Sequence, residues 1–179
     1  MPSPAATFSV RKALRRFPRN RHGSAAVEFA LVAPVFFALL FAIIETAIVF
    51  FASQVLETIT QDSARQIMTG QAQSAAYNQA QFKTFLCGKI PALFTCADLY
   101  VDVKSYPAFA SVSIADPIDA GKNFVPVMSY SPGAAGDIVV VRVFYQWPLF
   151  VTGLGYNISN LTGSKRLLSA TAAFRNEPF

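Results

Sequence analysis

From Phe29 to Ala52 apolar residues fill every face of a would-be helix, and beyond that point the pattern changes. No side chain is charged between Phe29 and Ile44, and continuing through the lone Glu45 to Ala52 gives a run long enough to cross the roughly 30 Å hydrocarbon core. Leu31, Phe36, Leu39, Phe41, Ile43, Ile48 and Phe50 put apolar groups all round it, which suits lipid or a fully buried setting. Pro34 falls early in the run, where a membrane helix tolerates it with an expected kink. From Ser53 to Thr69, Val55, Leu56, Ile59 and Ile67 recur among polar residues, predicting an amphipathic helix that continues the first outward. Gly70 supplies a stop signal.

Further along, Gln71 to Gln81 reads as a linker or a weak helix. Asn78 to Lys89 reads as a short helix with Phe82, Phe85 and Leu86 on one face, ended by Pro91. Strand patterns occupy Tyr100 to Tyr106, Phe109 to Ile114, Ile138 to Trp147 and Leu167 to Phe174. In the strongest of these, Val139, Val141, Val143 and Tyr145 share a face, with Arg142 and Gln146 on the other. Ala115 to Asn123 and Tyr130 to Gly136 are rich in turn residues, and Pro148 to Ser164 reads as a long loop. The predicted plan is α+β: a single transmembrane N-terminal helix extending into a domain whose small antiparallel sheet covers the helix's apolar face.

Charge adds an orientation. The net charge of +5 is concentrated in Arg11, Lys12, Arg15, Arg16, Arg19 and Arg21, and no acidic residue precedes Glu28. The positive-inside bias then puts the N-terminus in the cytoplasm, at an inner membrane, and the C-terminal domain outside. The basic excess is the partner of anionic inner-leaflet lipid, and with no basic stripe beyond it nucleic acid is set aside as a partner. A secretory signal peptide has a shorter apolar run followed by small residues. Here the small residues Gly23, Ser24, Ala25 and Ala26 come first. The 179 residues leave room for one domain of about a hundred residues beside the anchor.

Few residues suggest chemistry. Glu28 sits at the cytoplasmic edge of the run and Glu45 lies well inside it, where a charge costs on the order of 2.5 kcal/mol or more. Glu45 either contacts a neighbouring membrane helix or is protonated or reached by water. Cys87 and Cys96 read as a disulfide in an oxidising compartment, the alternative being two buried thiols. Eight residues separate them, too many for a Cys-x-x-Cys redox motif. With His22 as the only histidine, on the other side of the membrane, neither a zinc site nor a Ser-His-Asp arrangement is expected in the outer domain. Asp98 with Asp102, and Asp116 with Asp119, read as solvated loop or strand-edge carboxylates lacking calcium-loop spacing. Asn157 and Asn160 open glycosylation-like triplets, and Gly153 and Gly155 do not form a phosphate loop. No cofactor, metal, small-molecule substrate or enzymatic activity is expected.

Gly23-Ser24-Ala25-Ala26-Val27-Glu28-Phe29, behind a basic leader and ahead of an apolar helix, resembles a type IV prepilin cleavage site. With Glu28-Phe29-Ala30-Leu31, Pro34, Ile43-Ile44-Glu45 and Ala64-Arg65, the chain resembles the TadE-like pseudopilins of the tight-adherence (Flp) pilus machinery. Cys87, Cys96, Leu99 to Lys104, Val139 to Pro148 and the ending Phe174 to Phe179 extend the likeness. The resemblance implies a leader, residues 1–23, removed by a prepilin peptidase between Gly23 and Ser24, a membrane helix over 24–52 and a periplasmic domain over 53–179. Other pilins and pseudopilins would be its partners. Glycine before the cut lets a peptidase approach the backbone closely. Glu28 would pair with the new amino terminus of a neighbouring subunit, or simply complement its own helix dipole. The alternative is an uncut, membrane-anchored accessory that docks a partner through its sheet.

Overall fold

Helix α1 runs unbroken from Ser24 to Met68 and includes Pro34. It belongs to a computed structural model that describes residues 23–90, 92–126, 128–153 and 156–179. The basic leader and His22 lie outside the described residues. The chain forms two compact units, one ending at Phe41 and one running from Ala42 to Phe179. In the first, Phe29, Leu31, Val32, Val35, Phe36 and Leu39 are all exposed. The helix is long and apolar enough to cross a membrane.

The second unit is built on the rest of α1. Ala42, Glu45, Val49, Ala52, Leu56, Ile59, Ser63 and Ile67 are buried, at intervals of three or four residues that keep one stripe facing inward. Within the apolar part of this stretch the buried positions are the smaller ones. Ile43, Ile44, Ile48, Phe50 and Phe51 stay exposed. After α1 come a single turn α2 (Gln71–Ser74) and helix α3 (Gln79–Cys87). Asn78 and Gln81 exchange side-chain-to-backbone hydrogen bonds of 2.9 Å at the start of α3, a reciprocal cap that satisfies two otherwise orphaned N–H groups. Phe82 and Leu86 on its inner face are fully buried, worth about 1.5–3 kcal/mol each.

Strands β1 (Leu99–Tyr106), β2 (Ile138–Pro148) and β3 (Lys165–Arg175) make one antiparallel sheet in the order β1-β2-β3. Leu99, Val101 and Val103 of β1, Val139, Val141, Val143 and Tyr145 of β2, and Leu168, Ala170 and Ala172 of β3 share a core with the stripe of α1. The α+β plan with a small antiparallel sheet is therefore the observed one.

One expectation is corrected. Phe109 to Ile114 is not a strand: Phe109–Ser111 is a 3₁₀ turn and the rest is irregular. The free edge of β1 is already used, because Val103 exchanges hydrogen bonds with Ser129 O and Ser131 N and bridges Tyr130 in parallel. With that edge occupied, Ser111 closes back on the carbonyl of Ala108 instead, through both its N–H and its hydroxyl. The face of β2 that carries Arg142 is buried as well. Val140, Arg142 and Phe144 are buried, and Phe144 packs with Leu161, Leu167, Tyr100, Ile118, Phe124 and Met128. The segments read as turns and loop thus supply a second, smaller core.

Gly70 holds the far end of α1 in place. Its φ of +73° is left-handed, a region that costs a residue with a side chain about 1–2 kcal/mol. A β-carbon there would also collide with the ring of Phe179, whose tail is tied to the helix end by Glu177 N–H donating to Met68 O at 2.9 Å. Gly70→Ala is expected to lose more than the backbone cost alone, and in a chain lacking Phe179 to lose only about 1–2 kcal/mol. Denaturant titrations of the two single variants and the double in detergent micelles check this non-additivity.

Candidate functional site

Two places in the chain gather the residues singled out by sequence. The first is the start of α1, where Gly23, Ser24, Ala25, Ala26 and Glu28 are all exposed. A β-carbon on Gly23 would meet nothing within 4 Å among the described residues. The Gly23–Ser24 bond is therefore open to a binding partner on its described side. Glu28 forms no ion pair among the described residues.

The second place is on the inward stripe of α1 in the Ala42–Phe179 unit, beside the end of β2. Pro148 closes the strand, Leu149 N still donates to Ser164 O, and the N–H groups of Phe150 and Val151 come after it. The Glu45 carboxylate takes these two, accepting from Phe150 N at 2.5 Å and Val151 N at 3.1 Å. One helical position along, the Thr46 hydroxyl donates to Ala42 O at 2.7 Å. Its proton is thus committed, leaving the Tyr156 hydroxyl to donate to Thr46 Oγ1. Glu45 is 8% exposed, and its partners belong to its own chain. Sequence reasoning found Glu45 but missed Thr46 and Tyr156, because nothing local marks which loop will return to the helix.

Cys87, at the end of α3, and Cys96, in the 3₁₀ turn before β1, form a disulfide with Cα atoms 5.7 Å apart. Between them Phe94 is buried and meets the rings of Tyr145 and Trp147 edge-on at 5.0 and 6.0 Å. The bridge thus fastens a loop that plugs the core, and in the chain-entropy picture so short a closure is worth about 2 to 3 kcal/mol.

The carboxylates set aside as solvated divide. Asp98 is exposed. Asp116 accepts from Ile118 N, and Asp119 from Asn123 N, each fixing its own turn. Asp102 is different: its side chain is 1% exposed and lies 2.7 Å from the Arg142 guanidinium. The antiparallel register puts the two residues directly opposite. Arg142 donates both Nε and Nη2 to Oδ2, at 3.2 and 2.7 Å, while Ser129 gives its N–H and hydroxyl to Oδ1 at 2.9 Å each. Burial pushes the Asp102 carboxyl up, but these hydrogen bonds outweigh it and hold it below the usual carboxylate range. Sequence reasoning missed this pair, although opposite charges in the middle of two strands were a readable signal. The arrangement is buried and saturated with donors, so it is a structural clamp. Asn157 and Asn160 use their Oδ1 atoms to accept from Ser159 N and Leu167 N. Gly155 lies outside the described residues. No cluster of metal-ligating side chains occurs among the described residues.

An exposed, apolar N-terminal helix that runs into a disulfide-fastened α+β body defines the class: a candidate membrane-anchored protein. Residues 23–65 match the family model for TadE-like protein, which associates this helix with Tad pilus systems. The match begins at Gly23 and covers most of α1. Searches of the curated proteins and of the solved structures find no match to the chain.

Proposed function

We propose that the protein is a pseudopilin-like structural subunit of a bacterial tight-adherence pilus system. It is held in the inner membrane by α1 with its N-terminus inside and its body in the periplasm. A prepilin peptidase cuts it between Gly23 and Ser24, and other pilins and pseudopilins are its partners. The observation that carries this reading is the starting point of the TadE-like match, which falls on the glycine before the small-residue stretch and the glutamate fifth beyond it. After cleavage the Ser24 amino group becomes positive, and the exposed Glu28 carboxylate is available to a neighbouring subunit's new terminus. In a bundle of such helices that pairing sets the axial register, since a broken ion pair in low dielectric is costly. Glu45 has a different task, holding the loop after β2 against its own helix.

N-terminal sequencing of the protein recovered from membranes, with and without an active prepilin peptidase, tests the proposal. A start at Ser24 that requires the peptidase is the expected result. An intact start upstream of Gly23 in both cases would instead make the chain an uncut anchored accessory.

A further inference from the structure

We infer that Phe150, at the start of the loop after β2, is a membrane foot that seats in the outer interface of the bilayer beside its own helix and sets the depth of the body. The inference rests on α1 being the membrane anchor. Phe150 is 86% exposed, the largest value among the big apolar side chains described. Its position is nevertheless fixed, because its own N–H is held by Glu45 at 2.5 Å and the preceding Leu149 N–H donates to Ser164 O at 2.9 Å. A rigid backbone that presents one phenyl ring outward is a poor arrangement for water and a good one for an apolar phase.

The level along the helix identifies that phase as lipid. Ser24 to Ile44 supplies about 20 residues, the length a helix needs to cross the hydrocarbon, and Glu45 is the next residue. A carboxylate is tolerated at the interface far better than at the centre, and here it also satisfies two backbone donors. Phe150 is tethered to that residue, with Tyr156 tethered to the next through Thr46. Tyrosine favours this layer. From Trp147 to Ser164 the sequence carries no charged residue, and Lys165 and Arg166 follow at once. The exposed Ile43, Ile44 and Ile48 on α1 continue the apolar surface at the same level.

The probe is a tryptophan at position 150, Phe150→Trp in a Trp147→Phe background, so that it is the only indole. The full chain is reconstituted into vesicles of phosphatidylethanolamine and phosphatidylglycerol, with or without bromine on the acyl chains. Phe41→Trp in the same background reports on the helix. The expected result is blue-shifted emission from position 150 that loses the larger part of its intensity in brominated lipid, as position 41 does. Quenching at 41 with water-like, unquenched emission at 150 overturns the foot and leaves the anchor standing. Blue-shifted emission at 150 without bromine quenching also overturns it, since the ring would then be covered by another copy of the chain. Quenching at neither position overturns the anchor and the foot together.

Discussion

Replacing Arg142 with methionine is expected to destabilise the body by about 3 kcal/mol, because it leaves the buried Asp102 carboxylate without its counter-charge. Ser129 still donates two hydrogen bonds to Oδ1, which keeps the loss at the lower end of what a broken buried pair costs. The Arg142 bond to Ala115 O at 2.9 Å disappears as well, so the excursion between β1 and β2 loosens at the same time. Replacing both partners, Arg142→Met with Asp102→Val, is expected to recover most of the loss, since no unpaired charge then remains. Guanidinium titrations of the full chain in detergent micelles measure both.

The same pair sets an acid limit. The folded carboxyl of Asp102 lies below its ordinary value of 3.8, so the unfolded state binds the proton more tightly. Its contribution to stability is therefore complete above about pH 4 and is lost as the pH falls through the folded value. In Arg142→Met this acid dependence is expected to shrink, because burial then opposes the remaining hydrogen bonds from Ser129. Repeating the titrations between neutral and acid pH shows the change in slope.

A bulky residue at position 23 is expected to abolish the proposed cleavage after that residue almost completely. Nothing described lies within 4 Å of the position a β-carbon would take, so Gly23→Trp adds its side chain to open space at the helix start. The fold has no reason to suffer. A peptidase that must close around the backbone does, because glycine gives it room that no other residue gives. Mass spectrometry of the membrane-extracted chain is expected to find only the uncut form, with insertion unchanged. Glu28→Ala separates cutting from assembly: the chain is cut normally but no longer enters fibres, since the exposed carboxylate proposed to meet a neighbour's terminus is gone. Equal amounts of cut protein with normal piliation in Glu28→Ala would remove that role from Glu28.

The elements with a local cause were legible in the sequence. An uninterrupted apolar run specifies a helix suited to lipid, and Asn78 with Gln81 caps α3 by its own chemistry. The alternation of Val139, Val141 and Val143 specifies a strand with one face in the core. The cysteine pair was legible too, since so short a loop leaves both residues within reach of each other.

Tertiary structure decided whatever depends on a partner distant in sequence. Where all faces of a helix are apolar, periodicity cannot say which one the body covers. The body covers the smaller Ala42, Val49 and Ala52 and leaves Ile43, Phe50 and Phe51 outside. The fate of Phe109 to Ile114 turned on an edge of β1 already filled by residues 129–131. Asp102 looks solvated when read alone, and the register across β1 and β2 shows that it and Arg142 satisfy one another out of water. For Glu45 the sequence specified a carboxylate that required a partner, and the N–H groups of Phe150 and Val151 meet it. The need is local because it follows from burial, whereas the answer is tertiary because the donors lie more than a hundred residues away.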